Sequence, residues 1–264
     1  MDLKLADKSA LVSGSTGRIG LAIAQSLAQE GATVTINGRS QERVDQALAT
    51  IKAATPNAKL SGVAIDLSTG DGADQLFQQI ATVDILVNNL GMYEPKAFGD
   101  ISDQDWLKIF EVNVLSGIRL SRHYFPTMPE RDWGRIIFIS SESAVQIPVE
   151  MIHYGMTKTA QLAIARGLAE MTVGTGVTVN SVLPGSTRSK GVGDFVKKMA
   201  GDRGVNVTQV EKEFFESVRS SSLIKRFATS EEVAALVTYA SSPLSSATNG
   251  AALRVDGGVV RSIL

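Results

Sequence analysis

Cysteine is absent from the 264 residues, which removes disulfides, thiolate nucleophiles and cysteine-ligated metals from consideration. Histidine occurs only at His123 and His153, thirty residues apart, a poor basis for a metal centre. Excess charge is missing as well. The 26 Lys and Arg are matched by 27 Asp and Glu, so no net field draws the chain to nucleic acid or an anionic membrane. No apolar run approaches the length of a membrane span. The opening MDLKLADKSALVSG lacks a secretory pattern, because its apolar run is short and leads straight into a strand. A cytoplasmic protein is expected, with no metal, nucleic-acid or membrane partner.

What is present is a rhythm. Short apolar runs at 9–14, 32–37, 60–66, 83–89, 135–140, 177–184 and 251–256 read as strands. Between them, helical patterns fall near 18–30, 40–53, 71–80, 103–125, 151–172 and 231–241. Alternation of this kind predicts a doubly wound, mostly parallel α/β sheet within one domain, residues 1–264. Ligands of such sheets bind outside the carboxyl ends of the strands, where strand order reverses. Ser102 with Asp105 and Thr229 with Glu232 match the capping-box pattern at two helix starts. The polar, glycine-containing segment 186–229 breaks the rhythm, and its length makes it a candidate substrate lid.

The first turn, SGSTGRIG (13–20), joins a strand to a helix. Glycines at 14, 17 and 20 let the backbone approach a pyrophosphate at the helix's positive end. Dinucleotide binding follows. Enzymes that grip a free adenosine ribose place a carboxylate after the second strand. This chain has Asn37, Gly38, Arg39 and Ser40 there. Arg39 reads either as a bidentate partner of a 2′-phosphate or as a solvated turn residue. Arg18, close to the phosphates, adds weight to the first.

Farther on, Tyr154 and Lys158 are spaced to share one face of a helix. An ammonium beside a phenol would lower the tyrosine's pKa toward working pH and make it a general acid or base. Ser141, at a strand's carboxyl end, can offer a hydroxyl to the same substrate oxygen. Taken alone, Tyr-x-x-x-Lys on a helix is usually an ordinary surface pair.

Together these residues resemble the short-chain dehydrogenases/reductases, in their single-domain branch. The resemblance runs from near residue 5 to the C-terminus. Its elements are the glycine turn, Asp66, NNLG (88–91), Asn113, Ser141, Tyr154, Lys158, LPGSTRS (183–189) and VDGG (255–258). They stand in family order, with thirteen residues from serine to tyrosine. The family implies a Rossmann fold of about seven strands in three layers and a homotetramer. It also implies an oxidoreductase that moves a hydride between NADP(H), preferred over NAD(H) on the arginines above, and a small-molecule carbonyl or alcohol substrate.

By that resemblance Tyr154 protonates the carbonyl, Ser141 holds its oxygen, Lys158 holds the nicotinamide ribose, and Asn113 holds a water linking Lys158 to solvent. Gly14, Ser15, Gly17, Arg18, Ile19 and Gly20 would cradle the phosphates. Arg39, Ser40, Asp66 and Leu67 would frame the adenosine. Asn89, Gly91, Pro184, Gly185, Thr187 and Ser189, with Tyr154 and Lys158, would complete the cofactor site. Two departures stand out. A glycine usual in the family is replaced by Arg18, with Gly17 one place earlier, and Leu90 replaces a common alanine. An arginine at that place is also similar to the pteridine reductases, but those carry an aspartate where this chain has Ser141.

Met92, Tyr93, Glu94, Gln146 and Glu150 are expected as pocket wall, His153 as an interface or rim residue, and His123 on a helix surface. Glu142 reads equally as a substrate contact or a solvated acid. The specific activity stays open between a 3-oxoacyl-thioester reductase and a sugar or polyol dehydrogenase. A non-catalytic NADP-sensing protein on the same fold is the alternative from another class.

Overall fold

The structure, a computed structural model, describes residues 2–188, 193 and 199–263. Its centre is a seven-stranded parallel sheet. The strands are β1 (Ser9–Val12), β2 (Thr33–Gly38), β3 (Lys59–Ala64), β4 (Ile85–Asn88), β5 (Gly134–Ile139), β6 (Val177–Pro184) and β7 (Ala252–Val255). Their order is β3-β2-β1-β4-β5-β6-β7. The direction of winding therefore reverses between β1 and β4, which opens a crevice at their carboxyl ends.

The strands alternate side chains between two buried faces, as parallel strands covered on both sides must. Ala10, Val12, Ile85, Val87, Ile137 and Ile139 enter one core, with α1 (Arg18–Gln29) and Val233, Ala234 and Val237 on the far side. Leu11, Leu86, Ile136 and Phe138 enter the other, beneath Leu120, Tyr124 and Ala165. Helices α2 (Gln41–Ala54) and α3 (Gly70–Gln79) follow β2 and β3. After β4 come α4 (Asp103–Phe110), α5 (Ser116–Tyr124) and the short α6 (Thr127–Glu130). Helix α7 (Ile152–Glu170) precedes β6. Helices α8 (Val207–Ser217) and α9 (Ser230–Ala240) lie between β6 and β7.

Ser102 and Asp105 cap α4 reciprocally, and Thr229 and Glu232 cap α9 in the same way. The segment expected as one helix over 103–125 is interrupted by a π turn, Glu111–Leu115. Within 186–229, Ala200, Val210, Phe215 and Phe227 form a small apolar cluster of their own. Among the described residues no helix is long and apolar enough to cross a membrane. Ser189 lies outside the described residues.

Candidate active site

A cleft of about 870 Å³ opens along the carboxyl ends of the strands. One end is built by the turn after β1. Gly14 takes a left-handed φ of +61°, and a Cβ there would press within 3.3 Å of Leu90. A Cβ on Gly20 would stand 2.5 Å from Asn89 Nδ2 and 2.7 Å from the Gly14 carbonyl, so no side chain fits. Asn89 Nδ2 in turn donates to the Ser13 and Gly14 carbonyls, fastening the loop after β4 to the turn.

Gly17 behaves otherwise than expected. Its φ of 179° is extended backbone open to any residue, and the left-handed position is Arg18, with φ +54°. Ser15 also sits apart from the cleft. It is buried, its hydroxyl donates to the Val12 carbonyl and accepts from the Asn37 amide, and its own amide donates to the Asn37 carbonyl. Its work is to hold the turn's shape. Asn37 completes that frame, accepting from the Gly14 amide and donating to the Val63 and Ile65 carbonyls.

Arg18, Arg39, Ile19, Asp66 and Leu67 line the cleft, and Ser40 does not; it stands as N-cap of α2. Sequence reading missed Arg43 in the first turn of α2. It lines the cleft, and its Nη2 lies 3.9 Å from where a Gly17 Cβ would be. Its four-residue offset from Arg39 was the available signal. Among the described residues none of these three guanidiniums forms an ion pair.

At the other end Ser141, Tyr154 and Lys158 face the cleft together, with Asn89, Gly91, Pro184, Gly185 and Thr187 along its floor and rim. Ser141 stands just past β5, where its hydroxyl accepts from the Ser143 amide. Lys158 Nζ lies 5.6 Å from the Tyr154 ring centroid and donates to the Ile139 carbonyl at 2.9 Å. Burial pulls the ammonium down to about 7. Burial also pushes the Tyr154 phenol up to about 12, with the Ser141 hydrogen bond acting in the opposite direction. The expectation was of a phenol depressed by the amine; the direction found is upward, with burial the largest cause, so Tyr154 holds its proton at neutral pH.

Asn113, in the π turn, has its carboxamide spent on the Met92 backbone and on Thr157 Oγ1. Its carbonyl accepts from Gln161 Nε2 at 2.6 Å, and Gln161 Oε1 accepts from Lys158 Nζ at 3.2 Å. The Gln161 carboxamide therefore bridges Lys158 Nζ and the Asn113 backbone carbonyl. Gln161 was not singled out from the sequence, although three residues beyond Lys158 it shares that helix face.

Met92, Tyr93 and Glu150 line the cleft as expected, whereas Glu94 and Gln146 do not. Glu142 is not solvated. It is buried, and Arg219 Nε donates to it at 3.1 Å and Ser143 Oγ at 2.9 Å. Burial raises its pKa despite Arg219. His153 is buried edge-on against Trp106, not on a rim, and His123 is half-buried and stacked on Phe77 at 3.8 Å.

The cleft fits a nicotinamide dinucleotide. It has a side-chain-free cradle at Gly14 and Gly20, cations without carboxylate partners at one end, and a phenol, hydroxyl and amine at the other.

The family model for short chain dehydrogenase matches residues 8–200. An uncharacterized oxidoreductase of Bacillus subtilis (strain 168), YvaG, is 51% identical over 263 residues, covering 100% of both chains. The 3-oxoacyl-(acyl-carrier-protein) reductase FabG of Aquifex aeolicus (strain VF5) is 32% identical, covering 98% of this chain and 100% of that one. The crystal structure of L-sorbose reductase from Gluconobacter frateurii, complexed with NADPH and L-sorbose, superposes with a TM-score of 0.92. It is 29% identical, and 100% of both chains is covered.

Proposed function

The chain belongs to the short-chain dehydrogenase family and is an oxidoreductase, and from that premise we propose that it reduces a small carbonyl compound to an alcohol with NADPH. The observation that carries the reading is the convergence of Ser141, Tyr154 and Lys158 on the cleft that also holds the glycine turn and three arginines.

The turn and the N-terminus of α1 would hold the pyrophosphate, Arg18, Arg39 and Arg43 a 2′-phosphate, and Lys158 the nicotinamide ribose. NADPH, when bound, supplies the hydride. The protein's part is proton and charge. Ser141 holds the carbonyl oxygen, and Tyr154, whose proton stays on until pH is near 12, gives it to that oxygen as negative charge develops. A phenol held this firmly suits the reductive direction at neutral pH, since the reverse needs it deprotonated.

Substrate selection falls to the wall beside Ser141. A buried carboxylate and guanidinium, Glu142 and Arg219, with Glu150 4.0 Å from the latter, form a polar surface close to the reacting centre. A hydroxyl-bearing ketone or sugar can exchange hydrogen bonds with that surface, and an extended acyl chain cannot, so the polyol reading is favoured over the 3-oxoacyl one. We further propose that the chain is one domain, that 186–229 covers the substrate, and that four copies assemble, which light scattering on the purified protein checks.

The test is oxidation of NADPH and NADH, in parallel, against a panel of simple ketones, hydroxyketones, ketoses and 3-oxoacyl thioesters. Turnover of hydroxylated ketones with NADPH is expected. NADPH binding with no turnover across the panel would replace this reading with that of a non-catalytic sensor.

A further inference from the structure

Gln161 sits one turn beyond Lys158 on α7 and is 1% exposed. A buried carboxamide is tolerated when its ends are paired, and both are. Its oxygen accepts from Lys158 Nζ, and its nitrogen donates to the Asn113 carbonyl. The orientation is forced by chemistry, because an ammonium cannot accept and a carbonyl cannot donate. The Asn113 carbonyl belongs to the π turn, a backbone form that displaces carbonyls from the regular ladder. A neighbouring carbonyl there, that of Val112, takes a hydrogen bond from Ser116 Oγ.

Lys158 lacks a carboxylate partner among the described residues, and its inward hydrogen bonds run to two neutral oxygens, on Ile139 and Gln161. An ammonium has three N–H groups, which leaves one for the cleft. That direction is open: a Cβ on Gly91 would lie 3.5 Å from Nζ, and Gly91 lines the cleft. The titratable neighbour on the same helix is Tyr154. Glu142, from the turn after β5, is committed to Arg219 and Ser143. Of the π turn's residues Glu111 is paired with Arg119, and the loop after β4 brings Gly91 beside Nζ while its Tyr93 packs edge-on against the Tyr154 ring. The charge of Lys158 is thus supported by dipoles alone.

We propose that Gln161 is a positioning residue for Lys158, an amide strut braced on the π turn that keeps the amine charged and aimed into the cleft. The inference rests on the reading above only in taking Lys158 as a dinucleotide contact. A leucine at 161 would remove one of two acceptors and let the amine rotate. A glutamate would keep an acceptor and add charge.

The experiment compares Gln161→Leu and Gln161→Glu with the native chain. Lys158 is titrated by lysine side-chain NMR in the cofactor-free protein, NADPH affinity is read by fluorescence between pH 6 and 9, and Tm is recorded. Gln161→Leu is expected to lower the Lys158 midpoint by about half a unit or more. It should weaken NADPH binding about fivefold at pH 8, and less at pH 6, where the ammonium persists. Gln161→Glu should raise the midpoint by about a unit and keep binding to higher pH. Midpoints unmoved in both variants, with only Tm lowered, would overturn the proposal and leave Gln161 a packing residue. If Gln161→Leu does not fold, the upward shift in Gln161→Glu still decides. None of these readouts needs a ketone to be reduced, so a failure of the carbonyl-reductase reading would be seen separately.

Discussion

Replacing Lys158 by methionine is expected to make the protein more stable below neutrality and less stable in strong alkali. The amine's pKa falls from 10.5 to about 7 on burial, a difference of about 3.5 units. At about 1.36 kcal/mol per unit this amounts to about 5 kcal/mol against folding wherever the ammonium must be buried. The sign follows from the depressed folded value. The penalty is complete only below the folded value of about 7, shrinks as pH rises through it toward 10.5, and is gone above that, because the unfolded chain has then lost the same proton. Methionine avoids the penalty at every pH but leaves the Ile139 carbonyl and Gln161 Oε1 without the Lys158 donor, at about 1 kcal/mol each. The net gain is about 3 kcal/mol at pH 6.5, and the two stability curves cross near pH 9, where the remaining penalty is about 2 kcal/mol. Urea denaturation of both proteins at pH 6.5, 8 and 10 measures this directly. A stability difference that does not change with pH, or a loss at pH 6.5, would refute the claim that Lys158 is held as a desolvated charge.

Tyr154→Phe removes the proton donor and should lower kcat by about a thousandfold, with NADPH affinity, read by fluorescence, changed less than about threefold. In the native enzyme reduction should be insensitive to any loss of the Tyr154 proton between pH 6 and 9, since that proton leaves only near 12; the pH profile of single-turnover reduction reads it. Arg39→Asp should lower the kcat/KM ratio of NADPH over NADH by at least about tenfold, Arg43 and Arg18 supplying what remains. Arg219→Met strands the buried Glu142 carboxylate and should cost about 3 kcal/mol, and adding Glu142→Gln should recover most of it in a double-mutant cycle.

The inner strands of the sheet were legible because they are covered on both faces. A short continuous apolar run such as IIFI (136–139) has the length of a strand rather than of a helix, and β5 occupies those residues. The helix starts at Ser102 and Thr229 were legible because a capping box is written within four residues. Legibility failed wherever the decisive partner is distant or is backbone. Glu142 meets Arg219 across 77 residues, and no local pattern connects them. The π turn at Glu111–Leu115 follows no residue-type rule visible in FEVNVLSG, and the expectation of one helix over 103–125 was the natural outcome. Arg135 opens what reads as an apolar strand yet is buried. Its guanidinium donates to the carbonyls of Gly134, Gly176 and Ser242 and, among the described residues, to no carboxylate. At the site, Tyr154 and Lys158 could be paired from spacing alone, but the direction of their pKa shifts depends on burial, which spacing does not report.

The exchange of Gly17 and Arg18 shows what a local rule-breaking can accomplish. Arg18 pays twice. It occupies the left-handed region at φ +54°, worth about 1–2 kcal/mol for a residue with a Cβ, and it sets a cation at the positive end of α1, where charge of that sign is disfavoured. Neither penalty is relieved by an acid, because Arg18 has no ion-pair partner among the described residues. Gly17, in extended backbone that needs no glycine, leaves vacant the space toward which Arg43 reaches. The same two residues thus push one guanidinium forward from α1 and clear the way for another from α2, with Arg39 beside them on the cleft wall. Three like charges without an ion-pair partner among the described residues repel one another, and an anion that enters the cleft relieves that repulsion. On the function proposed above, the pyrophosphate common to both dinucleotides would engage the turn, and a 2′-phosphate on the adenosine ribose would supply the further negative charge that three guanidiniums can pair.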